Sequence, residues 1–283
     1  MAPADSSDTL AVVDGRPIGV FDSGLGGLTV VRALIDLLPD EHLVYFGDTG
    51  RFPYGPKPRE EVLKYAFQIT ELLMGHDVKL VVVGCNSAAA AALTELRARY
   101  EVPLTGVIEP GLRAAARATR TGRVGVIGTV GTIASGAYQR AAATLWPGIR
   151  LACAACPGFV EFVEAGDVDS DQVFILAERL LAPVKAAGID TLVLGCTHYP
   201  LLARTIGEVM GPSPNGDRVV LVSSGEETAF EVAGVLDAVG ARRRAGEPAR
   251  RTFLTSGDPA TFRVLGSRFL GPEVDNVEAW RWN

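Results

Sequence analysis

Two cysteines occupy matching positions in this sequence, each at the end of a short apolar run. Cys85 lies in the stretch LVVVGCNS, and Cys196 lies in LVLGCTHYP. A continuous run of apolar, β-forming residues that ends in glycine predicts a buried parallel strand. In open α/β sheets the carboxyl ends of the strands face the crevice that binds ligands. We therefore expect two equivalent thiols on opposite sides of one crevice.

The residues after Cys85 predict the start of a helix. Asn86 and Ser87 are favourable N-cap residues, and a run of alanines follows them. Cys85 would then lie beside a helix N-terminus, where the helix dipole and free N–H groups favour a thiolate. We expect a similar arrangement for Cys196.

Other interpretations of the four cysteines compete with this one. Free cysteines often pack in the core, but two copies of Gly-Cys at matched strand ends argue against that role. Cys153 and Cys156 could form a redox pair or half of a zinc site, although Cys153 lies within a strand pattern and the chain has three histidines. A nucleophilic cysteine paired with His198 would leave the second Gly-Cys unexplained.

We favour an interpretation in which both thiols are acid–base groups. Removing a proton from one face of a carbon and delivering another to the opposite face requires two similar groups on opposite sides. Cysteine suits this task because its ordinary pKa of about 8.5 is close to neutral. Small environmental shifts then leave one sulfur as a thiolate and the other as a thiol.

The whole chain alternates predicted strands and helices, which is typical of parallel sheets with helices on both faces. Because the Gly-Cys motif recurs about half a chain later, we expect an α/β fold of two similar domains with the active site in the cleft between them. The expected boundaries are a disordered lead-in over 1–16, a first domain over 17–108 plus 223–283, and a second domain over 109–222.

Three local expectations concern the connecting elements. A strand over 102–108 ends at Glu109-Pro110, and a single helix covers 132–145. A last strand over 252–256 and a last helix over 259–270 return to the first domain.

Composition narrows the class of protein. The chain has 283 residues, 48% of them hydrophobic and 21% charged, which fits a globular protein with a real core. A net charge of −6 argues against nucleic acid as the main partner. Four cysteines do not suggest a secreted disulfide scaffold, and no apolar stretch approaches the length of a membrane span. Without a signal-peptide pattern, the expected location is cytoplasmic.

Four motifs in this order resemble those of glutamate racemases: IGVFDSGLGGLTVV, GDTGRFPYG, VVGCNSA and LVLGCTHYPLL. The resemblance runs from about Pro17 to the C-terminus. It implies a cofactor-independent amino-acid racemase, an isomerase that needs neither pyridoxal phosphate nor metal and supplies D-glutamate for peptidoglycan. It also implies a homodimer. Some members of the family interact with DNA gyrase or are activated by a cell-wall precursor, and the sequence decides neither point.

The resemblance also assigns roles to residues. It implies that Cys85 and Cys196 are the catalytic pair, one for each direction, and that Asp22, Glu164 and His198 assist them. The substrate-binding residues that it implies are Asp22, Ser23, Tyr54, Gly55, Asn86, Ser87, Thr129, Thr197 and His198. This assignment fits the residues themselves, because N–H groups at two helix N-termini can hold two carboxylates while Asp22 holds the ammonium.

One further residue indicates which amino acid is the substrate. Aspartate racemases resemble this chain but typically carry Glu after the second Cys-Thr, where this chain has His198. Glutamate is therefore favoured, with aspartate or another amino acid as the alternative substrate. A different class of protein is a non-catalytic domain that grips a small dicarboxylate, which would need no paired thiols.

Overall fold

The computed structural model describes residues 14–244 and 246–282, and it folds them into two parallel sheets flanked by helices. The strands are β1 (Ile18–Asp22), β2 (Leu43–Gly47), β3 (Leu80–Val83), β4 (Leu104–Gly106), β5 (Arg123–Gly128), β6 (Arg150–Ala155), β7 (Thr191–Gly195), β8 (Val220–Ser223), β9 (Arg251–Thr255) and β10 (Val277–Ala279). The α/β fold class predicted from the sequence is confirmed.

Helices connect these strands, as right-handed parallel topologies require. They are α1 (Leu28–Leu37), α2 (Arg59–Gly75), α3 (Asn86–Arg99), α4 (Ile108–Ala118), α5 (Val130–Ala134), α6 (Ala137–Leu145), α7 (Phe159–Ala165), α8 (Asp171–Ala186), α9 (Ala203–Met210), α10 (Gly225–Ala238) and α11 (Pro259–Leu270). Short 3₁₀ segments cover Thr49–Arg51, Tyr199–Leu202 and Gly271–Glu273. No helix in the described part of the chain is long and apolar enough to cross a membrane.

The first sheet combines the beginning and the end of the chain. Its strand order is β10-β9-β2-β1-β3-β4, and all neighbouring strands are parallel. β1 lies between β2 and β3, with Ile18 opposite Leu43 and Leu80. β1 and β3 are buried along their whole lengths, as the continuous apolar runs predict. Asp22 at the end of β1 and Cys85 just after β3 therefore emerge at the same sheet edge.

The second sheet is built from the middle of the chain, with strand order β6-β5-β7-β8 and parallel pairing throughout. Gly128 at the end of β5 pairs with Gly195 at the end of β7. Thr129 and Cys196 follow these glycines directly, so they emerge side by side. Each sheet thus delivers one of the two predicted cysteines to its carboxyl edge.

The predicted strand over 102–108 is too long at both ends, because the observed strand covers Leu104–Gly106. The strand β4 stops at Gly106, and α4 begins at Ile108 and runs through Glu109 and Pro110. Pro110 is compatible with the first helical turn, because its missing N–H would have no intrahelical partner there. The residues around Glu109-Pro110 therefore start a helix and do not end a strand.

Two other local predictions need correction. The predicted helix over 132–145 is broken into α5 and α6, because Gly136 adopts a left-handed conformation with φ of 67°. The short strand β10 was not expected, since three residues carry too little pattern to predict a strand. The expected lead-in over 1–16 falls largely on residues 1–13, which lie outside the described residues.

Candidate active site

The structure brings Cys85 and Cys196 to the wall of a single cavity. Both thiols are buried, at 5% and 6% exposure. The residues lining the cavity are Ser23, Phe52, Pro53, Tyr54, Gly55, Cys85, Asn86, Ser87, Thr129, Val160, Cys196, Thr197 and His198. Of the residues named from the sequence, Asp22 and Glu164 are not part of this wall, while Phe52, Pro53 and Val160 are additions that the sequence did not indicate.

The cavity is small. Its volume is about 20 Å³, which is room for about one water molecule. Four hydrogen bonds near the cavity join the half of the molecule with the first sheet to the half with the second sheet. They are Ser87 Oγ to Thr129 Oγ1 at 2.9 Å, Ser87 Oγ to Thr132 Oγ1 at 3.2 Å, Gly131 N to Gly55 O at 2.9 Å, and Thr197 Oγ1 to Asp22 Oδ2 at 3.2 Å. The volume of the cavity is too small to hold an amino acid.

Cys85 is the residue immediately before α3, in the N-cap position. Its thiol donates to Ser23 Oγ at 3.6 Å. Burial and the nearby Asp22 carboxyl raise the pKa of Cys85 to about 12, although the backbone N–H of Ala88 opposes this rise. The expectation that the helix N-terminus favours a thiolate is therefore outweighed by burial, and Cys85 is a neutral thiol at pH 7.

The predicted capping role of Asn86 and Ser87 is wrong. Neither side chain caps α3, and no side-chain hydrogen bond satisfies its N-terminus. The Ser87 hydroxyl instead bonds to Thr129 and Thr132. The amide of Asn86 donates to Tyr138 Oη at 2.9 Å. Both side chains are thus used to reach the other half of the molecule.

Cys196 has a different environment, dominated by a histidine. The Nδ1 atom of His198 is 3.9 Å from Cys196 Sγ, and its Nε2 atom is 2.7 Å from Glu164 Oε1. Burial lowers the pKa of His198, but the hydrogen bonds to Cys196 and Glu164 outweigh burial and raise this pKa to about 10. A charged imidazolium beside a sulfur stabilises the thiolate. The two thiols are therefore chemically unequal.

Asp22 lies between the two halves of the site and is fully buried. Its Oδ1 atom accepts from Gly24 N at 2.8 Å, and its Oδ2 atom accepts from Thr197 Oγ1 at 3.2 Å. Burial raises the pKa of Asp22, while the nearby His198 charge acts in the opposite direction. Asp22 therefore links the loop after β1 electrostatically to the Cys196 side of the cavity.

A second buried carboxylate, Asp48, supports the cavity wall from outside. The hydroxyl of Tyr54 donates to Asp48, which also accepts from Arg51 Nε at 2.7 Å and from Ser256 Oγ at 2.6 Å. The Arg51 guanidinium lies 4.0 Å from the ring centre of Trp282. The GDTG motif contains Asp48, but no local pattern indicates that its carboxylate also meets Ser256 and Trp282 from the last part of the chain.

Cys153 and Cys156 are both free thiols in the structure. Burial raises the pKa of Cys153 to about 11 and that of Cys156 to about 12, so both are neutral thiols at pH 7. Within residues 14–244 and 246–282, no group of three or more His, Cys, Asp or Glu side chains is placed to hold a metal ion. Their position at the end of β6 is consistent with packing.

We expect Gly195→Ala to destabilise the second sheet. A Cβ atom on Gly195 would lie 2.6 Å from the carbonyl oxygen of Ile127 and 3.1 Å from Tyr138 Oη. Such overpacking costs about 1–3 kcal/mol. Denaturant unfolding measures the loss. The control is Gly234→Ala in α10, where a Cβ meets nothing within 4 Å and stability should stay equal or rise by about 0.5–1 kcal/mol. Equal stabilities of the two variants would contradict the packing described.

The raised pKa of His198 predicts a pH dependence of stability. Because the folded pKa is about 10 and the unfolded one about 6.5, the protonated histidine stabilises the fold fully below about pH 6.5. This contribution is lost as the pH rises through about 10. The Tm of the protein should therefore fall more steeply between pH 7 and 10 than the Tm of His198→Gln. Parallel curves for the two proteins would show that His198 is not protonated in the folded state.

Comparisons with known proteins agree with this architecture. The family model described as Asp/Glu/hydantoin racemase matches residues 18–228. Glutamate racemase of Parafrankia sp. (strain EAN1pec) is 52% identical over 266 residues, covering 94% of each chain. Glutamate racemase isoform RacE1 from Bacillus anthracis has a TM-score of 0.87 at 39% identity, covering 94% of this chain and 97% of the other.

A further solved structure carries a bound amino acid. Glutamate racemase from Francisella tularensis subsp. tularensis SCHU S4, in complex with D-glutamate, has a TM-score of 0.85 at 32% identity, covering 95% of this chain and 98% of that one. The family and the enzyme class that the sequence motifs predict are thereby confirmed: this chain belongs to the Asp/Glu/hydantoin racemase family.

Proposed function

We propose that this protein interconverts L-glutamate and D-glutamate with Cys85 and Cys196 as the two acid–base groups. The observation that carries the proposal is the placement of both buried thiols on one small cavity, each at the carboxyl edge of a different sheet. The D-glutamate bound by the Francisella tularensis relative supports an amino acid as the substrate. The high identity to several glutamate racemases supports glutamate as that amino acid.

The two thiols have unequal environments. The His198 imidazolium lies beside the Cys196 sulfur, so it stabilises the negative charge that the sulfur must carry when Cys196 acts as the base. Cys85 is the thiol, because burial and the Asp22 carboxyl keep its proton bound. One enantiomer therefore meets a base on one face of its α-carbon and an acid on the other.

The reaction then follows from these two states. The Cys196 thiolate takes the α-proton from one face, and the electron pair of the broken C–H bond stays on the α-carbon. The Cys85 thiol donates its proton to the opposite face, which forms the new C–H bond and inverts the centre. The products of the step are the other enantiomer, a Cys196 thiol and a Cys85 thiolate. The opposite enantiomer reacts with this second state, so each thiol is the base in one direction and the acid in the other.

The cavity must also stabilise a carbanion-like transition state. The α-proton of an amino acid is very weakly acidic, so fixed dipoles and charges have to favour the developing negative charge. Hydroxyls of Ser23, Ser87, Thr129 and Thr197 line the cavity. Exclusion of water strengthens each of these interactions. The N-terminus of α3 adds N–H groups that suit a substrate carboxylate.

Substrate access requires the small cavity to open. We assign the moving units to residues 17–108 plus 223–283 and to residues 109–222, which contain the first and the second sheet. The hydrogen bonds that cross between them at Ser87 and Asp22 would break on opening and form again on closure. By its family, the protein is assigned to the cytoplasm as a homodimer that supplies D-glutamate to peptidoglycan.

Circular dichroism of D-glutamate tests this function directly. The purified protein is first freed of metal ions and pyridoxal phosphate, and the optical signal is then followed over time. Decay of the signal to zero is the expected result. Decay with D-aspartate but not with D-glutamate would keep the mechanism and change the substrate. A constant signal with every amino acid would overturn the enzyme function in favour of a domain that only binds a dicarboxylate.

A further inference from the structure

Tyr138 is a buried polar residue for which neither the sequence motifs nor the proposed reaction gives a role. It lies in the first turn of α6 and is 1% exposed. Its hydroxyl accepts a hydrogen bond from Asn86 Nδ2 at 2.9 Å. Asn86 belongs to the half of the molecule with the first sheet, whereas α6 belongs to the half with the second. This contact therefore spans the cleft.

The same phenol also lies against the other cysteine strand. A Cβ atom built on Gly195 would be 3.1 Å from Tyr138 Oη and 3.2 Å from its Cε2 atom. Gly195 immediately precedes Cys196, and Asn86 immediately follows Cys85. One tyrosine ring thus contacts the chain next to both thiols.

The amide of Asn86 is satisfied at one end only. Its Nδ2 atom is held by Tyr138, but its Oδ1 atom is buried and has no hydrogen-bond partner among the residues that the structure describes. Asn86 also lines the cavity. A buried acceptor without a partner is unfavourable unless a ligand supplies the donor. The α-ammonium of an amino acid is such a donor.

We propose that Tyr138 is a positioning residue for racemisation, whose hydroxyl fixes the Asn86 amide so that Oδ1 is presented to the substrate ammonium. This inference rests on the proposed function. Tyr138 itself does not transfer a proton: burial raises its pKa above the ordinary range, so the phenol stays protonated. Its effect therefore passes through Asn86 and appears in substrate binding.

The Tyr138→Phe variant tests the inference, because it keeps the ring and removes the hydroxyl. Without the hydroxyl, the Asn86 amide is free to rotate and binds the substrate and the transition state less well by equal amounts. KM should therefore rise while kcat stays within about 2-fold of the wild type. The loss of one hydrogen bond predicts a rise in KM of about 5- to 10-fold. An unchanged KM, or a fall in kcat alone, would overturn the inference.

Tyr199→Phe is the matched control. Tyr199 is equally buried in the same half of the molecule, and its hydroxyl donates to the Cys156 carbonyl oxygen at 3.0 Å rather than to Asn86. Both variants lose one buried hydroxyl, so a general packing effect would appear in both. We expect Tyr199→Phe to lower Tm and to leave KM within about 2-fold of the wild type. An equal rise in KM in both variants would overturn the inference.

A double-mutant cycle separates positioning from direct contact. When Asn86 is already alanine, adding Tyr138→Phe should change KM by less than about 2-fold, because Tyr138 acts through the missing amide. If the double variant instead raises KM by the product of the two single effects, the inference is overturned.

The same cycle can be measured without turnover in a Cys85→Ser background. Calorimetry then measures the binding of D-glutamate to four proteins: the one with Asn86 and Tyr138 intact, the two single variants and the double variant. A wild-type protein that binds D-glutamate but never racemises it would refute the proposed function, while this binding cycle would still test Tyr138.

Discussion

Replacing Cys85 or Cys196 by serine should abolish racemisation in both directions. A hydroxyl is a much weaker acid than a thiol, so serine can neither take the α-proton as an anion at neutral pH nor match the thiol as a donor. Loss of one positioned acid–base group typically costs 10²–10⁴-fold, and because each thiol acts in both directions we expect kcat to fall by about 10³-fold or more. Circular dichroism started from each pure enantiomer measures this loss.

The other two cysteines provide the controls. Cys153→Ala and Cys156→Ala, made separately, should keep most of the activity, since neither residue lines the cavity that holds Cys85 and Cys196. Near-normal turnover in either serine variant would refute the two-thiol mechanism. A folded but inactive Cys153→Ala variant would instead support the interpretation of Cys153 and Cys156 as a redox pair.

Replacing His198 by glutamine should slow racemisation by about 10²-fold in kcat/KM, the range found when one preorganised electrostatic partner is removed. Glutamine keeps a polar side chain but has no charge with which to stabilise the Cys196 thiolate. The two enantiomers have equal free energies, so kcat/KM must fall equally in both directions. The value of kcat should fall more in the direction in which Cys196 removes the proton.

Two further variants define the origin of this effect. Glu164→Gln removes the carboxylate that bonds to His198 Nε2 at 2.7 Å but leaves the imidazole in place, so we expect a smaller loss of about 10-fold. His42→Gln is the matched control, because His42 is also buried but accepts from the backbone N–H of Arg250, away from the cavity. A kcat/KM of His198→Gln within about 2-fold of the wild type would contradict the assigned role.

Local patterns were sufficient to place both cysteines. The apolar runs before Cys85 and Cys196 predict buried parallel strands, and β3 and β7 lie where those runs are. A parallel strand is buried on both faces, so its own residues form a continuous apolar run. Such a run can be recognised without knowledge of the rest of the fold. The boundaries fail where the pattern is short or ambiguous, as in β10 with three residues and at the start of α4.

Properties that depend on contacts between distant parts of the chain were not predictable from such patterns. The sequence suggests that a helix N-terminus lowers the pKa of Cys85, whereas the fold buries the thiol near Asp22 and raises that pKa to about 12. The pairing of Asn86 with Tyr138 joins two halves of the molecule. No spacing rule connects these two residues, and only the tertiary fold brings the first turn of α6 to the N-terminus of α3. The burial around the cavity thus sets the chemistry of its thiols.

Deuterium incorporation from D₂O is the most direct test of the two-thiol mechanism. L-glutamate is incubated with the protein in D₂O, and the two enantiomers are separated at low conversion and analysed by mass spectrometry. If one thiol removes the proton and the other delivers a solvent-derived deuteron, the D-glutamate formed carries deuterium at the α-carbon while the remaining L-glutamate carries none. The same experiment started from D-glutamate should give the mirror result. Deuterium in both enantiomers at early times, or protium retained in the product, would indicate a single base and contradict the account.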